Sequence, residues 1–178
     1  FLGGLLFGKN SIAASKSFVS PSLIMPEESY PHERTWMAFV ANDYIWSKHQ
    51  IPEVKRNLAL IAKTIAKYEP VIILVSSVDY DEAVLLLGGL DTHLFPIELI
   101  KFKTDDLWLR DTGPTFVMSS DGEKVAIDFN FNGWGNKQEH SRDTKVAKYI
   151  AKQTNAILKK TDLVIEGGCF EIDGHGTA

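Results

Sequence analysis

Pro70-Val71-Ile72-Ile73-Leu74-Val75 sets five aliphatic residues in a row behind a proline. A run without alternation reads as a strand buried on both faces, the kind that sits inside a parallel sheet. The flanking sequence fits that setting. Upstream, Pro52 suits the first turn of a helix running to about Tyr68, with Val54, Leu58, Ile61 and Ile65 on one face and Lys55, Arg56 and Lys63 off it. Pro70 stops that helix. Earlier still, Trp36 to Ala41 is a short apolar run that reads as another buried strand. Downstream, Asp79 is placed to cap a helix from Glu82 to Leu87 that Gly88-Gly89 ends, and Ile97 to Phe102 is the next strand.

Beyond an irregular stretch, Thr115-Phe116-Val117-Met118 and Val125-Ala126-Ile127-Asp128-Phe129 flank a turn containing Asp121-Gly122, a strong hairpin signal. Ser141 is placed to cap a third helix through about Gln153, with Val146 and Ile150 inward. Leu163-Val164-Ile165 and Cys169-Phe170-Glu171-Ile172 read as two further strands. Helices alternating with both parallel-type and hairpin strands predict an α/β (α+β) fold of repeated modules.

The chain has 178 residues, 44% of them hydrophobic and 24% charged, enough for one domain whose core needs no disulfide or metal. Nineteen Lys and Arg against 23 Asp and Glu leave a net charge of −4, which argues against a nucleic-acid partner. A single cysteine excludes an intramolecular disulfide and a Cys-rich zinc site. The histidines (His32, His49, His93, His140, His175) lack ligand spacing, so no metal is expected. No phosphate-loop or dinucleotide fingerprint points to a cofactor. Residues 1–22 are apolar and then Ser/Ala-rich, and too short to span a bilayer. They read either as the remnant of an export signal, which would place the protein in the periplasm or outside the cell, or as a terminal lead-in to a cytoplasmic protein. Residues 23–178 form the remainder.

Three segments concentrate chemistry. Lys103 to Pro114 holds Asp105, Asp106, Trp108, Arg110 and Asp111, with Gly113-Pro114 as a turn that fixes Asp111 at a strand start. An aspartate beside an aromatic plane suits a planar cation: the carboxylate accepts paired N–H bonds while the ring packs on the cation. The alternative is a surface loop in which Arg110 pairs a neighbouring acid. Asp128 to Lys137 places Asn130, Asn132, Gly133, Trp134 and Gly135 after a strand, a binding loop or a packed turn. Ile165-Glu166-Gly167-Gly168 ends an apolar run with a carboxylate and two glycines, where the alternative is a plain strand-end turn.

Taken in order, four pieces resemble the agmatine deiminase family, which includes the bacterial-type peptidyl-arginine deiminases and belongs to the guanidine-modifying pentein superfamily. They are Met25-Pro26-Glu27-Glu28 with Pro31 to Ala38, Asp105 to Pro114, Phe131-Asn132-Gly133-Trp134-Gly135 with Lys137, and Glu166-Gly167-Gly168 with Asp173-Gly174 and Gly176-Thr177. The resemblance covers about residues 25 to 178 and implies the N-terminal part of a β/α propeller built from ββαβ-like modules. It implies a mechanism in which a cysteine thiolate attacks the guanidinium carbon, ammonia leaves, and water hydrolyses the amidino-cysteine intermediate while a histidine shuttles protons. It assigns Asp111 and Glu166 as catalytic carboxylates, and Trp108, Asp111, Glu166, Trp134 and Asp105 as substrate-binding residues.

The departures matter as much. The family's histidine lies in an Asp-Gly-His-type motif well after Glu-Gly-Gly, and its nucleophilic cysteine lies near the C-terminus. Asp173-Gly174-His175 follows Glu-Gly-Gly directly, so His175 reads as the variable residue of an Asp-Gly-X-Gly-Thr pattern, and Cys169 reads as a bystander. The chain is therefore expected to be a fragment that supplies carboxylates but no nucleophile or base, and to be inactive alone. Ser29 and Phe39-Val40 replace aromatic and Trp-Pro residues common in the family's first motif. Between Asp111 and Ser141 there is no arginine to hold a peptide carboxylate, only Lys124 and Lys137, which favours agmatine and a role in putrescine synthesis. A peptidyl-arginine deiminase is the alternative substrate class. A non-catalytic guanidine- or polyamine-binding module and a structural domain are alternatives of other kinds. The expected partner is a small guanidine; homo-oligomerisation is left open.

Overall fold

The computed structural model describes residues 22–88, 94–175 and 177–178. The reading of the N-terminal lead-in, apart from residue 22, lies outside the described residues, as do Gly89, His93 and Gly176.

The described strands form two sheets. The first is fully parallel: β2 (Thr35–Phe39), β3 (Val71–Val75) and β4 (Ile97–Lys101), with β3 in the middle. All five β3 residues are buried, as expected for a strand covered on both faces. Val71, Ile73 and Val75 face one cluster with Phe39, Leu58, Ala62 and Ala83. Leu74 faces a second cluster with Ala38, Val146 and Ile150. The pleat thus divides one strand between two cores.

Helix α1 (Ile51–Ile65) carries Pro52 in its first turn and ends earlier than expected. The Ala66 carbonyl accepts the N–H groups of Leu94 and Phe95 instead of continuing the ladder. Its buried face is also rotated from the expected one. Lys55, Leu58, Ala59 and Ala62 are buried, Val54 and Ile65 pack at the margin, and Ile61 is exposed. The alanines let the helix approach the sheet, and Lys55 enters because its Nζ reaches Asp79 at 2.8 Å and Glu82 at 2.6 Å. That same contact takes Asp79 out of its expected capping role at α2 (Tyr80–Leu87): its side chain bonds Lys55 and Ser76 and caps nothing.

The second sheet runs in the order β1 (Leu23–Ile24), β5 (Thr115–Ser119), β6 (Lys124–Asp128), β7 (Ile157–Lys160). The β5–β6 hairpin forms as read, with Gly122 at φ 81° in its turn. A one-turn helix α3 (Leu109–Thr112) precedes it, and the one-turn element α4 (Gly133–Asn136) follows it. Helix α5 (Val146–Gln153) starts after a 3₁₀ turn at Asp143–Lys145 rather than at a Ser141 cap, and it buries Val146 and Ile150. It returns the chain to β7, which pairs parallel with β6.

Strand β7 stands where none was expected, and the expected strands at Leu163–Ile165 and Cys169–Ile172 are irregular. Asn155, at φ 52°, turns the chain straight from α5 into β7, so Ile157 to Lys160 take the β6 edge. The following segment is held by a side chain instead of a ladder. Asn130 donates to the carbonyls of Thr161 and Leu163, leaving Leu163 and Val164 about half exposed. No helix among the described residues is long and apolar enough to cross a membrane.

Candidate active site

Asp111 sits inside the α3 turn, its N–H bonded back to the Trp108 carbonyl at 3.0 Å. The helical turn, rather than a strand start, sets its direction. Trp108, just before that turn, is half exposed. Gly113 closes the turn with its N–H on the Leu109 carbonyl, where a Cβ would lie 2.6 Å from that oxygen.

Element α4 supplies a partner. All four of its residues have positive φ, including Trp134 at φ 54° and ψ 48°. An L-residue there costs about 1–2 kcal/mol. Local bonds offset this: Asn132 Oδ1 accepts the Gly135 N–H at 2.8 Å, and the Phe131 ring meets Trp134 edge-on at 4.9 Å. The result is that Trp134 Nε1 donates to Asp111 Oδ2 at 3.1 Å.

The Glu166-Gly167-Gly168 segment closes on the same turn. A Cβ on Gly167 would overlap the Arg110 carbonyl, and a Cβ on Gly168 would stand 2.7 Å from Asp111 Oδ1. The two glycines are there for close approach, not for a left-handed bend. Glu166 is partly buried, and its carbonyl accepts the Cys169 N–H at 3.1 Å. Cys169 itself is exposed.

Arg110 pairs no acid of its own segment. Its guanidinium forks onto Glu28 at 2.7 and 2.9 Å, 82 residues away. The paired hydrogen bonds raise the pKa of Arg110 and lower that of Glu28. Gly174 packs against Glu27, and Asp173 accepts the N–H groups of His175 at 2.8 Å and Thr177 at 3.0 Å. Those bonds bring Asp173 down to about 2 and make His175 a residue of the turn. A cavity of about 510 Å³ opens beside this tie, lined among others by Glu28, His32, Trp36 and Arg110. Trp108, Asp111, Trp134 and Glu166 do not line it.

Asp105 is placed differently from the expectation that it binds substrate. Its side chain is fully buried and accepts the backbone N–H of Arg142 at 2.6 Å, that of Asp143 at 3.3 Å and the Arg142 guanidinium. Asp143 reciprocates by accepting the N–H groups of Asp105 at 2.7 Å and Asp106 at 3.1 Å. Burial pushes the Asp143 carboxyl up to about 6 against its two N–H bonds, with the charges of Asp105 and Asp106 adding to the rise. These oxygens face N–H donors, and among the described residues no His, Cys, Asp or Glu group is arranged to hold a metal.

The structure therefore joins Asp111, Trp134 and Gly168 in direct contact, keeps Trp108 on the same turn, and separates Asp105 from them. The pairings of Asp106 with Gln138, of Asp143 with the Asp105 N–H and of Glu28 with Arg110 escape a sequence reading, because the partners lie 32 to 82 residues apart and carry no local pattern.

Residues 24–178 match the family described as Porphyromonas-type peptidyl-arginine deiminase. A Legionella pneumophila (strain Paris) protein, provisionally named agmatine deiminase, is 40% identical over 154 residues, covering 86% of this chain and 43% of that protein. The agmatine deiminase of Pseudomonas aeruginosa (strain LESB58) is 35% identical over 159 residues, covering 86% and 42%. The solved agmatine deiminase of Enterococcus faecalis superimposes with a TM-score of 0.75 at 29% identity, covering 85% of this chain and 41% of that one. The chain thus spans less than half the length of the curated relatives it matches.

Proposed function

The chain belongs to the Porphyromonas-type peptidyl-arginine deiminase family, and from that premise we propose that the protein carrying it converts agmatine and water to N-carbamoylputrescine and ammonia. The observation that supports this most directly is the mounting of Asp111. Trp134 binds one carboxylate oxygen, Gly168 leaves room beside the other, and the half-exposed Trp108 stands on the same turn. A carboxylate fixed in this way can grip a guanidinium without reorganising when charge shifts during attack.

In this reading Asp111 binds the guanidinium, Trp108 lines its approach and Glu166 is the second acidic group. A cysteine thiolate adds to the guanidinium carbon, and a proton delivered to one nitrogen lets it leave as ammonia. Water then adds to the amidino-cysteine carbon, both of its protons are removed in turn, and the thiolate departs to leave the carbamoyl product. The thiolate and the proton-shuttling histidine are assigned to the part of the relatives' length that this chain does not span. Cys169, on an exposed turn, takes no part. Residues 23–178 then form the N-terminal part of a catalytic propeller, in which β5, β6, α5 and β7 are one ββαβ module. The enzyme would be cytoplasmic and serve putrescine synthesis.

Agmatine is preferred to a peptidyl arginine for a specific reason. Of the two lysines between Asp111 and Ser141, Lys124 is committed to Glu33 at 2.5 Å. It is thereby occupied rather than free to hold a peptide carboxylate. The test is ammonia release by the full-length protein from agmatine, arginine and an arginyl peptide. Turnover of agmatine that Asp111→Asn abolishes is expected. Binding of agmatine with no ammonia from any of the three would leave only a guanidine-binding module.

A further inference from the structure

The Trp134–Asp111 hydrogen bond ties the segment carrying Asp111 to the segment carrying α4, and a hydrogen bond between Asp106 and Gln138 joins the same two segments. Gln138 Nε2 donates to Asp106 Oδ2 at 2.7 Å, while Asp106 Oδ1 accepts the N–H of Leu107 at 2.7 Å. Asp106 is buried and cannot swing away to water. The Asp143 carboxylate holds its backbone from behind, through the N–H groups of Asp105 and Asp106.

Gln138 is as firmly tied to α4. The Lys137 N–H returns to the Gly133 carbonyl at 2.9 Å, and His140 Nδ1 lies 2.8 Å from the Gln138 carbonyl. A Cβ on Gly133 would meet His140 Nδ1 at 2.5 Å and the Gln138 carbonyl at 2.6 Å, so Gly133 to His140 close tightly on themselves. Moving Gln138 therefore moves Trp134. The Asp106 end is joined to Asp111 by Leu107, Trp108 and the α3 turn.

We propose that Asp106 and Gln138 are positioning residues for the guanidinium-binding carboxylate: their hydrogen bond holds α4 where the Trp134 indole reaches Asp111. The inference rests on the assignment of Asp111 as the substrate carboxylate. A site displaced by a fraction of an ångström loses rate even when every reacting group is present.

Gln138→Glu sets two carboxylates against each other at hydrogen-bond distance. Asp106→Asn combined with Gln138→Glu restores a donor and an acceptor with the polarity reversed. Gln138 is partly exposed, and an amide in place of the buried Asp106 carboxylate still offers its oxygen to the Leu107 N–H, so both proteins keep their core. The full-length protein is labelled at its indole nitrogens, and the Trp134 Nε1–H resonance is identified by its loss in Trp134→Phe. Gln138→Glu is expected to shift that resonance and to lower kcat/KM for agmatine roughly tenfold, and the double variant to recover both. An unmoved resonance in Gln138→Glu, or a double variant that stays shifted, overturns the proposal. A wild-type protein that turns over no guanidine but shows the expected resonance changes sinks the deiminase reading and leaves the positioning contact standing.

Discussion

The Trp134 indole N–H donates to Asp111 Oδ2 at 3.1 Å, and Trp134 does so from a left-handed backbone conformation. Backbone strain retained to hold one hydrogen bond on a carboxylate marks that carboxylate as one whose direction matters. Trp134→Phe keeps the edge-on packing with Phe131 and deletes the donor. A hydrogen bond to a charged group is worth about 1.5–3 kcal/mol. Agmatine turnover, measured as kcat/KM, should therefore fall about 10- to 100-fold, and the unfolding midpoint should drop with the lost bond. An unaltered kcat/KM would show the bond to be idle.

Gly167 and Gly168 should fail in different ways. An alanine at Gly167 meets the Arg110 backbone carbonyl, which can move only with the α3 turn. It should cost about 1–3 kcal/mol in a denaturant titration. An alanine at Gly168 meets the Asp111 carboxylate, a side chain that can rotate. Gly168→Ala should leave stability nearly unchanged and weaken agmatine binding by calorimetry. Equal losses of stability in the two variants would contradict this division.

Much of this arrangement is legible in the sequence where local chemistry decides it. Val71 to Val75 announces a central strand because nothing polar interrupts it, and Asp121-Gly122 announces the hairpin because few residues accept the turn. Leu163-Val164-Ile165 misleads for a physical reason. Apolar content suggests a strand, yet the Asn130 amide, 31 and 33 residues back, takes the carbonyls that a ladder would need. Lys55 likewise reads as a solvent-facing charge until Asp79 and Glu82 are brought beside it. At the site, composition singles out Asp111 and Trp134 but cannot show that they touch. Asp105, from the same segment, is turned inward by Arg142 and Asp143, which lie 37 and 38 residues on.

Lys55 is buried with its ammonium between two acids, and removing the charge tests what that arrangement contributes. Burial pulls its pKa down, and the hydrogen bonds to Asp79 and Glu82 more than reverse the effect, leaving it raised. Lys55→Met keeps the stem packed and strands Asp79, which retains Ser76, while Glu82 is open enough to turn to water. The expected loss is about 1–3 kcal/mol by urea unfolding, below that of a fully enclosed pair. A variant as stable as the wild type would mean that desolvation of the ammonium cancels its two bonds.

Asp143 should make stability fall as pH rises through mild acid. Its carboxyl titrates at about 6 in the folded protein against an ordinary 3.8. Between those values the folded state holds a proton that the unfolded chain has lost, so folding takes up a proton and stability declines towards neutrality. The whole difference amounts to about 3 kcal/mol. Asp143→Asn removes the titration and turns an amide N–H₂ towards one of the two backbone N–H donors, at a cost of about 1–3 kcal/mol. Near pH 4 the variant should therefore be the less stable protein. Near pH 7, where the wild type carries a buried charge beside Asp105 and Asp106, the two should nearly match. Urea unfolding of both proteins at each pH measures the difference directly and cancels every group they share. A deficit in Asp143→Asn that is the same at pH 4 and pH 7 would mean that Asp143 titrates in its ordinary range and that the two N–H bonds outweigh its burial.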